Sequence, residues 1–410
     1  MYSNQALNVL INAIKHYFLN RNRQKEKEDK DKWTNAKYSG ILISYLSECA
    51  DSSVIDFVFN LIREYLGNED SKIRESVIIA FGSILQTIYS DRIKDIIEGA
   101  LPTMIDLLTD KNIDVRSTAA WSLRKITQYH TDCLMNMSNT NPELLDAFLQ
   151  NIIKNLSSNK RVVVQLVDCF SKIIVNTKEF LEAAHPGALL QTSILSKYYP
   201  EILNNLLQIA YKKDAYDAEN NIALSSLFSI NSLIDFSPLD CIDFIKEYFT
   251  NIVIALDNTS ANDFFRDSLE KKLNYQESLC AIVNSYFIGD KINLDSDKCY
   301  YLYNVVERLF RERNSVFQSG ILLCSKLIIY THNNFPETFE LIFSNYCQYL
   351  FTAMCQYEDV GICSIAIGVV SDFIRNIHDS FQKYLQEMFE KIYTIGQVIF
   401  VYLILLVAVI

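Results

Sequence analysis

Apolar residues recur three and four positions apart along almost the whole chain, the spacing that collects them on one face of an α-helix. Polar and turn-forming residues interrupt the pattern at short intervals, so the helices are predicted to come two at a time. The predicted pairs cover residues 4–20 and 35–49, 53–66 and 71–88, 91–109 and 113–129, and 142–156 and 161–177. Four more follow at 196–213 and 218–236, 238–256 and 262–287, 296–313 and 315–330, and 336–354 and 360–376; a ninth begins near Ser380.

Helix pairs repeating about every forty residues are the signature of HEAT or armadillo arrays. The expected fold class is therefore all-α, a HEAT-repeat α-solenoid of about eight antiparallel helix pairs running as a single array over residues 1–390. At ~10 Å between stacked helices, such an array would extend on the order of 80 Å. Pro142, Pro238 and Pro336 each fall where a first helix should begin, at a position whose N–H has no partner within the helix anyway. Ser237-Pro238-Leu239-Asp240 has the form of a capping box, which makes the start of the sixth pair the firmest boundary. The sharpest repeat is the third, with Leu101, Ile105 and Leu108 followed by Val115, Ala119, Ala120, Leu123 and Ile126. In it Asp110 closes the first helix and Arg116 opens the second, six positions apart, where acid and base can pair along a stack. The second repeat keeps the spacing as Asn68 and Arg74. Asp110, Arg116 and Arg74 are thus assigned to the scaffold.

Composition narrows the function classes. Ten Gly and six Pro in 410 residues leave too few turn residues for an all-β chain. A formal net charge of -11 argues against a nucleic-acid partner and favours a basic one. The ten cysteines include no CxxC and mostly sit in apolar stretches, which reads as free, buried thiols in a reducing compartment. The five histidines form no HExxH or other short-spaced metal pair, and no GxGxxG, GxxxxGK[ST] or GxSxG occurs. No catalytic residue, cofactor or metal site is assigned, and residues 1–20 lack the order of a secretory signal.

Two features point to binding. Residues 21–32 form a mixed-charge run between the helices of the first pair, which by itself reads as a solvated loop. Trp33 follows directly and could anchor a basic ligand through stacking and cation–π contact, or simply pack at a helix start. Second helices conventionally line the concave wall of such arrays, and Glu75, Asp168, Glu219, Glu277 and Asp372 lie on them. Each reads singly as an ordinary solvated residue, and together they would draw cationic segments inward.

Residues 74–126, containing RESVIIAFGSIL and ALPTMIDLLTDKNIDVRSTAAWSLRKI, resemble the importin β (karyopherin β) nuclear import receptors in the repeats after their acidic loop. Residues 156–173 follow at the expected distance, with weaker similarity over 273–283 and 360–376. The resemblance implies a receptor in cytoplasm and nucleus, docking at the nuclear pore, with three partners: importin α or basic nuclear-localisation cargo on the concave face, the small GTPase Ran, and phenylalanine-repeat nucleoporins between outer helices. Glu26, Glu28, Asp29 and Asp31 occupy the place of the family's acidic loop, interrupted by Lys25, Lys27, Lys30 and Lys32. Trp33 matches a family Trp that helps hold the basic importin β-binding helix of importin α. Asp168 stands where the family carries another Trp, which implies more electrostatic binding.

A receptor of that family is about twice as long, so the resemblance implies that this chain corresponds to its central part. The apolar tail, 391–410, departs from the family pattern. Its nineteen uncharged residues from Ile392 on would span ~28 Å against the ~30 Å of a bilayer core. A truncated or altered end is expected rather than a membrane anchor. The competing readings are a transportin-type receptor, or a HEAT scaffold such as a phosphatase regulatory subunit, tail-anchored if the tail inserts.

Overall fold

A computed structural model describes residues 11–16, 35–50, 52–86, 93–211, 222–260, 269–289, 291–313, 316–356, 359–386, 389–390 and 393. The charged run 21–32 with Glu26, Glu28, Asp29 and Asp31, then Trp33, Glu219 and most of the tail lie outside these residues. Packing divides the chain into two compact units, Met1–Leu239 and Asp240–Ile410.

All regular structure among the described residues is helical, arranged as the stacked pairs of a HEAT-repeat solenoid. The first unit contains α1 (Asn35–Ala50), α2 (Ser52–Tyr65), α3 (Ser71–Ile84), α4 (Ile93–Leu107) and α5 (Ile113–Tyr129). It continues with α6 (Thr131–Thr140), α7 (Pro142–Asn155), α8 (Lys160–Ala184), α9 (Tyr199–Tyr211) and α10 (Ile222–Asp235). The second unit holds α11 (Ile242–Asn258), α12 (Leu269–Tyr286), α13 (Ser296–Arg313), α14 (Gln318–Asn334), α15 (Pro336–Met354), α16 (Val360–Asn376) and the short α17 (His378–Phe381). Second helices pack on one another as α1–α3–α5–α8–α10 in the first unit and α12–α14–α16 in the second. First helices form parallel rows, α4–α7–α9 and α11–α13–α15.

Side-chain caps start these helices where the sequence breaks. Asp70 accepts from the Lys72 N–H ahead of α3, Asn112 from Asp114 and Val115 ahead of α5, and Asn159 from Arg161 ahead of α8. Asn141 caps α7 through Leu144, with Pro142 at the first helical position, and Pro336 opens α15 in the same way. Pro238 behaves differently. A 3-10 turn, Leu239–Cys241, follows it and α11 begins only at Ile242. The predicted capping box does not form there, because the Ser237 hydroxyl turns back and donates to the Ile234 carbonyl at 3.0 Å, closing α10. Helix α6 was not predicted. It buries Cys133, Leu134 and Met137, and His130 before it reaches the Leu85 carbonyl at 2.6 Å through Nε2.

The scaffold residues tie consecutive repeats together. Arg74 donates to both carboxylate oxygens of Asp110, Nε at 3.0 Å to Oδ2 and NH2 at 2.9 Å to Oδ1. Its NH1 also closes its own interhelical loop, at 2.7 Å from the Asn68 carbonyl and 3.0 Å from that of Glu69. Arg116 repeats the loop contact, with NH1 2.6 Å from the Asp110 carbonyl. The six-residue spacing thus puts each arginine on its own loop's main chain, and the acid paired with Arg74 belongs to the next repeat. Nine cysteines are free among the described residues and seven of these are buried; burial pushes Cys133 up to about 11 and Cys169 to about 12, so both remain thiols near neutral pH.

Burial alone would raise the Asp110 pKa, but the hydrogen bond from Arg74, the Asn112 N–H and the nearby guanidinium charges outweigh it and hold the carboxyl below its ordinary value. A carboxylate depressed in the folded state contributes stability that is complete above its unfolded pKa, ~3.9, and is lost as pH falls through the folded pKa. Asp110→Ala is expected to cost about 2 kcal/mol at neutral pH, since it strands a largely buried guanidinium. Urea unfolding of both proteins should show the difference at pH 7 and its narrowing below pH ~4.

A candidate binding face on the second helices of the first unit

Helices α5, α8 and α10 enclose an open cavity of about 560 Å³, bounded by Arg124, Val164, Gln165, Asp168, Leu224, Ser225 and Phe228. Helical spacing places them: Arg124 lies one turn before Gln128 on α5, Gln165 and Asp168 are three apart on α8, and Leu224, Ser225 and Phe228 share a side of α10. Arg124 NH1 donates to Asp168 Oδ2 at 3.3 Å, and the Ser171 hydroxyl lies 3.3 Å from Asp168 Oδ1. Arg124 Nε, Gln128 Oε1 and Gln165 Oε1 are buried without a hydrogen-bond partner. Each such atom costs free energy until something binds it. One donor and two acceptors match the C=O and N–H groups of a polypeptide main chain. Phe228, 61% exposed, adds an apolar wall.

Beside the cavity, the half-buried Trp121 of α5 lies against α3 at Gly82. Lys125 sits over two rings, 5.8 Å from the centroid of Trp121 and 5.0 Å from that of Tyr129. Burial first, and the Arg124 charge second, lower the Lys125 pKa. Asn176 of α8 fastens the end of α5, donating to the carbonyls of Thr127 and Gln128 at 3.2 and 3.0 Å and to the Thr131 hydroxyl at 3.0 Å.

The predicted inner-wall acids do not form one acidic surface. Asp168 is engaged by Arg124. Glu277, on α12 of the second unit, accepts from the Ser319 N–H and hydroxyl at 3.4 and 3.3 Å, with Arg313 4.0 Å away. Glu75 is half-buried on α3 and Asp372 is exposed on α16. Helix α5 carries Arg116, Arg124 and Lys125 against the single acid Asp114, and Arg161 of α8 pairs with that acid at 2.6 Å. The net charge of the whole chain is therefore no guide to this face. Arg124, Gln128, Gln165 and Phe228 escaped the sequence reading; the available signal was polar residues a turn apart inside otherwise apolar second helices.

His130, Asp132 and Cys133 bring possible metal-ligand atoms within 4.8 Å of one another. His130 Nε2 is committed to the Leu85 carbonyl and burial keeps Cys133 protonated, so the group serves as packing between α5 and α6. Among the described residues no single helix is long and apolar enough to cross a membrane.

Comparison with known proteins gives a consistent result. Residues 147–395 match a family model described as importin subunit beta-1-like, TPR repeats, and residues 71–126 match a HEAT-like repeat. The chain is 22% identical over 375 residues to importin subunit beta-1 of Schizosaccharomyces pombe, covering 90% of this chain and 41% of that protein. Among solved structures it resembles a Kap95:Nup1 complex, with a TM-score of 0.73 and 18% identity over 94% of this chain and 42% of that one. It also resembles Kap95p in a structure described as inducing the switch loops of RanGDP to adopt the GTP-bound conformation, with a TM-score of 0.74 and 17% identity over 95% of this chain and 43% of that one. The chain thus spans about two-fifths of the length of these relatives.

A Cβ at Gly82 would lie 2.1 Å from Trp121 Cζ3 and 2.8 Å from the Ser122 hydroxyl, so Gly82→Ala must push the indole off α3. The expected cost is about 1–3 kcal/mol, as for other overpacked cores. Thermal unfolding measures the loss, and a changed near-ultraviolet dichroism would place it at the indole.

Proposed function

We propose that this chain, which belongs to the importin subunit beta-1-like family, is a nuclear import receptor module and that the α5–α8–α10 face takes a segment of cargo or of an importin α-type adaptor. The observation that carries the site is the trio of unpartnered polar atoms at an open cavity, Arg124 Nε, Gln128 Oε1 and Gln165 Oε1. A bound segment would satisfy them with its main chain, lay apolar side chains on Phe228, and bring a basic side chain to Asp168. Because Arg124 already holds Asp168, a ligand arginine would replace one guanidinium by another, which leaves less net electrostatic gain than an unpaired acid would offer.

Ran and nucleoporins are the further partners of this reading, supported by the likeness to Kap95 structures with Nup1 and with Ran. The first helices of the second unit suit phenylalanine insertion, since Ile254 of α11, Tyr300 and Tyr301 of α13 and Leu341 of α15 are exposed. Shuttling between cytoplasm and nucleus through the pore follows from the same partners.

Fluorescence anisotropy with a labelled arginine-rich importin α-type helix tests the site. The chain should capture the peptide, more weakly as salt rises, and Phe228→Ala should weaken capture about 5- to 10-fold without lowering the melting temperature. No capture at low ionic strength would sink this reading.

A further inference from the structure

The two ends of the second-helix rows are finished differently from their interiors. Helix α5 has a second helix on each side, α3 and α8, and α8 lies between α5 and α10. Helix α1 has one such neighbour, α3. Ala36, Ser39, Gly40, Ile43 and Ser47 line its buried side, and at Gly40 a Cβ would come within 2.7 Å of Ile79 Cγ2 of α3. Two residues further along each turn, some 200° round the helix, stand Tyr38, Ile41, Leu42 and Tyr45, between 40% and 63% exposed. A helix with apolar residues on opposite sides is built to be packed on both. An array that ends in water needs a polar outer face, and α1 does not supply one.

Helix α16 ends the other row in the same manner. It packs on α14 and α15 through Ile362, Ala366, Val369, Val370 and Phe373. Val360, Ile367 and Ile374 stay exposed, between 39% and 76%, in one stripe seven residues apart. Beside Ile367, Gly368 has nothing within 4 Å of the place of a Cβ, leaving room for a bulky side chain such as Tyr45.

We propose that the chain associates end to end with a second copy of itself, the exposed stripe of α1 in one copy seating on the exposed stripe of α16 in the next. Both stripes belong to second helices, so the joint repeats the second-helix contacts that α1 makes with α3 and α14 makes with α16. Because the two surfaces differ, the contact is heterologous, and each copy keeps one end open for a further copy. This inference is independent of the import reading, since it uses neither the cavity nor any transport partner.

Sedimentation velocity of the full chain from roughly 1 to 100 µM tests it with Leu42→Glu, which closes the α1 side, and Ile367→Glu, which closes the α16 side. Tyr45→Lys repeats the first block at a more exposed position, and circular dichroism confirms that each variant is folded. Wild type should grow in mass with concentration, and each variant alone should remain monomeric. An equimolar mixture of Leu42→Glu and Ile367→Glu should give one-to-one dimers and nothing larger, because one joint per pair remains. A wild type that stays monomeric throughout overturns the proposal and leaves both stripes to other partners. Association that survives both substitutions overturns it in favour of another segment, and association lost only with the α1 variants overturns it in favour of a two-fold α1–α1 contact.

Discussion

A second helix inside this stack must serve an interface on each side while its own first helix covers a third, and most of the sequence's peculiarities follow from that demand. Helix α3 is buried without a break from Ser76 to Gly82, so no single stripe can describe it. Close approach falls to small residues: Gly82 receives Trp121, and Ala119 and Ala120 give α5 two flat positions. Polar residues survive there when their hydrogen bonds close locally. The hydroxyls of Ser76, Ser226 and Thr177 donate to the carbonyl four residues back in their own helices, whereas Ser122 and Ser229 donate across to Ile78 and Val167. A hydroxyl can therefore enter an interface that would reject a charge.

Charge is handled at the edges of the same interfaces. The Arg74–Asp110, Asp114–Arg161 and Arg124–Asp168 pairs each join one second helix, or its entry loop, to the next. The acids that appear to point at a partner when read one helix at a time are already answered from the neighbouring repeat. What remains unmatched on the candidate face is neutral hydrogen-bonding capacity, and this shifts recognition from net charge toward shape and main-chain contacts.

The limits of legibility follow from the range of each interaction. Helices α5, α15 and α16 fall at their predicted boundaries because periodicity, an Asn or Asp cap and a proline all act within a few residues. Helix α6 is ten residues long and is held by burial against neighbouring helices, a tertiary cause with little local trace. At Ser237 the local motif was present, but its hydroxyl had a competing carbonyl behind it. The partner of Asp168 lies 44 residues away on α5, and the helical period says which row a side chain joins but not which cation of the next helix faces it. Gln128 and Gln165 were hidden for the same reason, since an unanswered amide is visible only once all its neighbours are placed.

The two ion pairs that link second helices at their starts differ sharply in their access to water. The side chains of Arg74 and Asp110 are 16% and 11% exposed, those of Arg161 and Asp114 46% and 45%. Counter-ions screen the exposed pair and reach the sheltered one far less. Ionic strength therefore addresses the two joints separately: rising salt loosens the hinge between α5 and α8, beside the cavity, while the joint between α3 and α5 keeps its stiffness. Compliance in the first unit is thereby concentrated where a ligand would have to be accommodated.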